Sequence, residues 1–134
     1  MNSEDVRLLD ELERALGHGG LRLVYQPKVA ADDGALVRVE ALVRWQHEEL
    51  GAIPPTRFVP LAEQHGLIDN LTQWALRTAL RQWRAWRGAG LDTTVAVNIS
   101  AVSLEHLDFP DLVERLCRAL DVPTDRLVLE LTEG

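Results

Sequence analysis

Glu40, Asn98 and Glu130 each fall in a segment whose other residues alternate as a β-strand does. In the stretch from Val37 to Arg44, Val37, Val39, Ala41 and Val43 share one face, and Arg38, Glu40, Leu42 and Arg44 share the other. The same parity sets Asn98 against Val95, Val97 and Ile99, and Glu130 against Leu127, Leu129 and Leu131. Each strand therefore delivers one oxygen-bearing side chain near its C-terminal end, on the face turned away from its apolar stripe. In α/β sheets and barrels that edge is where ligands bind. Two carboxylates and a carboxamide form a hard-oxygen set, suited to Mg2+, Mn2+ or Ca2+ more than to a soft metal. The plainer alternative is that each glutamate faces solvent or pairs with an arginine such as Arg38 or Arg44. Periodicity alone suggests a site without identifying its ligand.

The elements that must position these residues follow from pattern. Leu8, Leu9, Leu12 and Leu16 recur at helical spacing over residues 4 to 16, ahead of Gly17, Gly19 and Gly20. Leu21 to Val29 reads as extended, Asp32-Asp33-Gly34 as a turn and Ala35 to Trp45 as an alternating strand, together a β-hairpin. Gly51 to Pro55 reads as a loop, with helices over about 56 to 64 and 69 to 87. A strand over 93 to 99, a helical stretch over about 104 to 120 with a break near Pro110, and a strand over 126 to 132 complete the chain. Strand, helices, strand, helix, strand is the order of a mostly parallel α/β sheet, with the hairpin adding one antiparallel strand.

Composition bounds the rest. The 134 residues carry 14 basic and 21 acidic side chains, a net charge of −7, and 46% are apolar, the balance of one globular domain. That length is far short of the roughly 250 residues of a complete (β/α)8 barrel. No apolar run reaches the ~18 to 20 residues that would span a bilayer, and the opening Met1-Asn2-Ser3-Glu4-Asp5 is acidic where a signal peptide is basic. The expected location is cytoplasmic, with no membrane segment. One cysteine, Cys117, leaves no intramolecular disulfide or multi-thiolate site and reads as a structural thiol. A single lysine, Lys28, argues against a nucleic-acid surface.

Glu40-Ala41-Leu42, continuing as Val43-Arg44-Trp45, resembles the signature of EAL-type cyclic di-GMP phosphodiesterases. It is flanked by Tyr25-Gln26-Pro27-Lys28-Val29, by Pro55-x-x-Phe58-Val59-Pro60-x-Ala62-Glu63-x-x-Gly66-Leu67-Ile68, by Val97-Asn98-Ile99-Ser100 and by Glu130-Leu131-Thr132-Glu133, in family order over residues 21 to 134. The resemblance implies a TIM-type (β/α) barrel with an antiparallel first strand, of which this chain holds roughly the first four strands. It implies an active site at the strand C-termini and two divalent cations, Mg2+ or Mn2+, that serve hydrolysis of cyclic di-GMP to linear pGpG. Carried over by motif, Glu40, Asn98 and Glu130 are similar to the metal ligands, with Glu40 also catalytic. Arg44 resembles the arginine that contacts a substrate phosphate, the backbone around Leu42 lines that pocket, and Gln26 is a further substrate contact. Glu133 resembles the glutamate that steadies a loop beside the metals.

The resemblance divides the chain into a connector helix, residues 1–17, and the first half of the barrel domain, residues 18–134. The connector is similar to those that join such domains to upstream sensory or cyclase domains. The family pattern continues with paired aspartates, a lysine and a further glutamate on later strands. Lys28 stands in another segment, so no residue here occupies the family's catalytic lysine position. The expectation is that the isolated chain does not hydrolyse cyclic di-GMP, and that its half-built sheet makes it a homo-oligomer. A degenerate module that binds cyclic di-GMP or a protein partner without hydrolysis is the competing reading, and a fragment without ligand affinity a third. His18, His47, His65 and His106 lack metal-ligand spacing and read as surface or loop histidines. Arg77, Arg81 and Arg84 read as a solvated stripe, and Trp74, Trp83 and Trp86 as filling between helix and sheet.

Overall fold

A computed structural model describes residues 2–132. The first helix, α1 (Ser3–His18), starts where the Asn2 side chain accepts the Asp5 N–H at 2.8 Å, the kind of cap that satisfies an otherwise orphaned donor. It runs through Gly17 and ends at Gly19, whose φ of 100° favours a residue without Cβ. The hairpin follows as β1 (Leu21–Val29) and β2 (Leu36–His47), antiparallel, with Gln26 opposite Glu40 and Lys28 opposite Arg38. Asp32 and Asp33 tie their own turn by accepting the N–H groups of Asp33 and Ala35, each at 2.9 Å.

Residues 51–53, expected as loop, form a short strand, β3 (Gly51–Ile53), on the far end of β2. Three residues carry no readable alternation, so only the overhang of β2 makes them a strand. The turn before β3 is built on His47, which is buried rather than on the surface: its Nδ1 accepts the N–H groups of Glu49 and Leu50, both at 3.1 Å. The ring proton therefore sits on Nε2, which donates to Glu11 of α1 at 2.6 Å. Burial pushes the Glu11 carboxyl up, but the hydrogen bond from His47 and the charge of Arg7 outweigh it, and Glu11 ionises below the ordinary carboxylate value.

Helix α2 (Pro55–Gln64) begins on a proline and α3 (Ile68–Gly88) is the longest element. Leu76, Ala79, Leu80 and Trp83 of α3 lie against Val95, Val97 and Ile99 of β4 (Val95–Ser100) in the main core. Trp83, fully buried, donates from its indole nitrogen to the Thr93 carbonyl at 2.6 Å, so the largest core side chain also fixes the approach to β4. Trp74 and Trp86 are only half-buried, Trp86 meeting Tyr25 edge-on at 4.8 Å. Burial alone raises the Tyr25 phenol to about 12, and likewise pushes up the thiol of the buried Cys117.

The helical stretch after β4 is two helices, α4 (Ala101–His106) and α5 (Phe109–Leu120). The break falls at Leu107 and Asp108, ahead of Pro110, because a proline fits the first turn of a helix. A 3-10 turn (Thr124–Arg126) leads into β5 (Leu127–Thr132). The sheet order is β1-β2-β4-β5, with β2, β4 and β5 parallel, β1 antiparallel at one edge and β3 paired with the end of β2. A second cluster packs Leu8, Leu12 and Ala15 of α1 on Trp45 and Phe58, so α1 is docked on the sheet and α2.

Trp83→Ala should cost about 3–5 kcal/mol in urea unfolding, because it opens a cavity and strips the Thr93 carbonyl of its donor. The depressed Glu11 carboxyl contributes stability that is present above its unfolded value of 4.5 and lost as pH falls through its lower folded value. Glu11→Gln should flatten the acid limb of a stability–pH curve; an unchanged limb would rule the clamp out as its source.

Candidate active site

Alternation along β2 buries Val39, Ala41, Trp45 and His47 under the helices and leaves Glu40 and Arg44 on the opposite face. Parallel pairing then sets the neighbours. Glu40 stands opposite Ala96, and Asn98 stands opposite Glu130. The Asn98 Nδ2 donates to Glu40 Oε1 at 3.4 Å, so these two side chains meet. The Glu40 side chain is 19% exposed and that of Glu130 39%, on a face that no helix covers.

Each carboxylate has a cation beside it. Lys28 Nζ lies 3.4 Å from Glu40 Oε2 and donates to Gln26 Oε1 at 3.2 Å. Arg38 approaches Glu130 at 3.9 Å. Gln26, Glu40, Asn98 and Glu130 thus form a row across four neighbouring strands, with Lys28 bridging its first two members. Sequence reasoning missed that role of Lys28. Its signal was parity, since residues 26 and 28 of one strand share a face.

Arg44 lies four residues beyond Glu40 on the same face of β2, exposed, with Nη1 donating to the Val43 carbonyl at 2.8 Å. It forms no ion pair among the described residues. Leu42, half-buried, stands between them. Glu133 lies outside the described residues.

As a ligand set, Glu40, Asn98 and Glu130 supply hard oxygens from three adjacent strands, which fits Mg2+ or Mn2+ on the charge and type of donor. Among the described residues no three His, Cys, Asp or Glu side chains lie close enough together to hold a metal, so the set depends on the carboxamide and on oxygens from water or phosphate. The face is an open sheet surface. Behind its rim a cavity of about 100 Å3 lies between the sheet and α2 and α3, lined by Val43, Val59, Leu71, Asn98 and Ser100. A larger cleft, about 430 Å3, is elsewhere, between α1 and the turn after His47.

The sequence model of the EAL domain matches residues 9–134. Over 132 residues the chain is 42% identical to the bifunctional diguanylate cyclase/cyclic di-GMP phosphodiesterase MucR of Pseudomonas aeruginosa, covering 98% of this chain and 19% of that protein. It is 40% identical over 128 residues to the cyclic di-GMP phosphodiesterase PA2567 of the same organism, covering 95% and 22%. The solved cyclic di-GMP complex of the MucR phosphodiesterase matches with a TM-score of 0.89 at 42% identity, over 96% of this chain and 52% of that one. The EAL domain of Xanthomonas citri FimX, also in complex with cyclic di-GMP, matches at 0.82 and 27% identity, over 97% and 50%. The chain therefore spans about a fifth of these curated relatives and about half of these solved domains. The fold, with its antiparallel first strand and its row of polar groups on one face, is that of a partial barrel, and the chain belongs to the EAL domain family.

Proposed function

We propose that this chain forms one wall of a cyclic di-GMP phosphodiesterase site, the first half of a barrel that hydrolyses the cyclic dinucleotide to linear pGpG. The observation that carries this reading is the meeting of Glu40 with Asn98, beside Glu130, on the uncovered face of three parallel strands. Glu40, Asn98 and Glu130 would hold Mg2+ or Mn2+. Such ions, when bound, lower the pKa of a coordinated water and offset charge on the phosphate under attack. In the hydrolysis, the water oxygen bonds to phosphorus, the ester P–O bond breaks, and the ribose oxygen leaves with a proton.

The chain's own residues have three tasks. Arg44, which pairs with no carboxylate among the described residues, offers a planar fork to phosphate oxygens. The backbone at Leu42 and the Gln26 side chain flank the same face and contact the dinucleotide, and Glu133 steadies the adjoining loop. The parallel register sets Asn98 opposite Glu130, so oxygens from separate strands would be offered to the same ion. In this reading α1, residues 1–17 in the main, joins the barrel to a sensory or cyclase domain of a cytoplasmic multidomain protein. No helix among the described residues is long and apolar enough to cross a membrane.

One observation favours a second reading. Lys28 and Arg38 already stand beside Glu40 and Glu130, which suits a module that binds cyclic di-GMP or a protein partner without metal or hydrolysis. Calorimetric titration with cyclic di-GMP, with and without Mn2+, separates the two. Metal-dependent binding that Arg44→Ala weakens about tenfold or more supports the phosphodiesterase wall. Metal-independent binding supports the second reading, and no binding at all overturns both. The isolated 134 residues should release no pGpG in a sensitive product assay.

As a separate chain the sheet presents β1 and β5 as its two edges, and Val29 and Leu131 are 59% and 61% exposed. Unpaired edges and bare apolar side chains favour association. Light scattering should find a dimer or larger species; a stable monomer at high concentration would refute self-association.

A further inference from the structure

Trp45 is 3% exposed, meets Phe58 edge-on at 5.5 Å, and lies on the helix side of β2, the face opposite Glu40. Its indole N–H has no acceptor among the described residues, whereas that of Trp83 donates to the Thr93 carbonyl. A donor on a buried side chain that goes without a partner is costly, so it calls for an explanation. The explanation is a cleft. Trp45 lines the space of about 430 Å3 between α1 and the turn after His47, and its Nε1 is not among the atoms sealed from solvent. Gly20 stands beside it: a Cβ there would lie 3.7 Å from Nε1, so a residue without one leaves the N–H uncovered.

The charges around this cleft divide into engaged and free. Glu11 is held by His47 at 2.6 Å and by Arg7 at 3.4 Å, and Glu49 by Arg7 at 2.9 Å. Arg14 on α1 and Glu48 on the turn line the same cleft, both exposed, and their side chains take part in no hydrogen bond or ion pair among the described residues, not even with each other. The free groups are therefore a guanidinium and an indole N–H, which suit a carboxylate, and a carboxylate, which suits an ammonium. A ligand of one sign leaves half of them unmet, and the three glutamates of the lining disfavour a bare anion. A free α-amino acid carries both charges on neighbouring atoms, and the cleft falls in the size range of small-molecule sites.

We propose that this cleft binds a free α-amino acid, its carboxylate taken by the Trp45 N–H and the Arg14 guanidinium and its ammonium by Glu48, so that the ligand clasps α1 to the turn after β2. The site lies on the other face of β2 from Glu40, and the inference does not depend on the phosphodiesterase reading. The test titrates the whole 15N-labelled chain with each of the common amino acids in turn and follows the Trp45 indole signal, identified by its loss in Trp45→Phe. At least one amino acid should shift that signal to saturation, while acetate and methylammonium, with one charge each, should need at least about tenfold more. Arg14→Ala and Glu48→Ala, both at exposed positions, should each raise the midpoint about tenfold, the scale of losing a hydrogen bond to a charged group. Should Trp45→Phe fail to give a dispersed amide spectrum, sequential assignment of the unsubstituted chain identifies the signal and the two surface variants carry the test. No shift with any amino acid overturns the site. Acetate binding as tightly as the best amino acid, or a midpoint unchanged in either surface variant, overturns recognition of both charges and the proposal with it.

Discussion

Strand β2 has two faces that cannot be exchanged. Its outward side chains, among them Val39, Ala41 and Trp45, are buried against helices, while Glu40 and Arg44 lie on the other face. A slip of one residue against β1 or β4 would drive Glu40 into the apolar layer and bring Ala41 out. Burying an unpaired carboxylate costs several kcal/mol, so the hydrophobic pattern of the strand also fixes where its chemistry points. Because β2 pairs with β1, β3 and β4 together, that choice spreads to Gln26 and Lys28 on one side and to Asn98 on the other.

The open face is charged but internally balanced. Lys28 beside Glu40 and Arg38 beside Glu130 are partly exposed pairs, of the kind that contributes little to stability. Weak pairs suit a binding surface, since a divalent ion or a phosphate can displace them at small cost. Arg44, without an ion pair among the described residues, is the complement: a cation on the same strand as the carboxylate. This arrangement gives a chain of net charge −7 a local concentration of cations on one face of its sheet.

Behind that face the helices do structural work on which the site depends. Trp83 joins α3 to the approach of β4, and His47 joins α1 to the end of β2 through Glu11. Both contacts bury a side chain and satisfy its polar atoms, one in Trp83 and two in His47, so they specify a single arrangement as well as filling space. The Glu63–Ser100 contact likewise ties α2 to the end of β4.

Much of this was legible in the residues because it is local. Alternation placed Glu40, Asn98 and Glu130 on one face of their strands, and the Asp32-Asp33-Gly34 turn, the long apolar ladder of α3 and the glycine stop of α1 each follow from a few consecutive side chains. The break near Pro110 was legible too, and falls at Leu107 and Asp108 because the proline sits in the first turn of the second helix. Long-range choices were not legible: that residues 51–53 find the overhang of β2, that His47 is buried against Glu11, that Lys28 rests on Glu40, and that Ser100 answers to Glu63. The sequence by itself determined which face of each strand carries oxygen, because parity is a property of neighbouring residues. Only the tertiary structure decided which strands stand side by side and which cation or hydroxyl each carboxylate meets, because those contacts join residues far apart in the chain and depend on how whole elements pack.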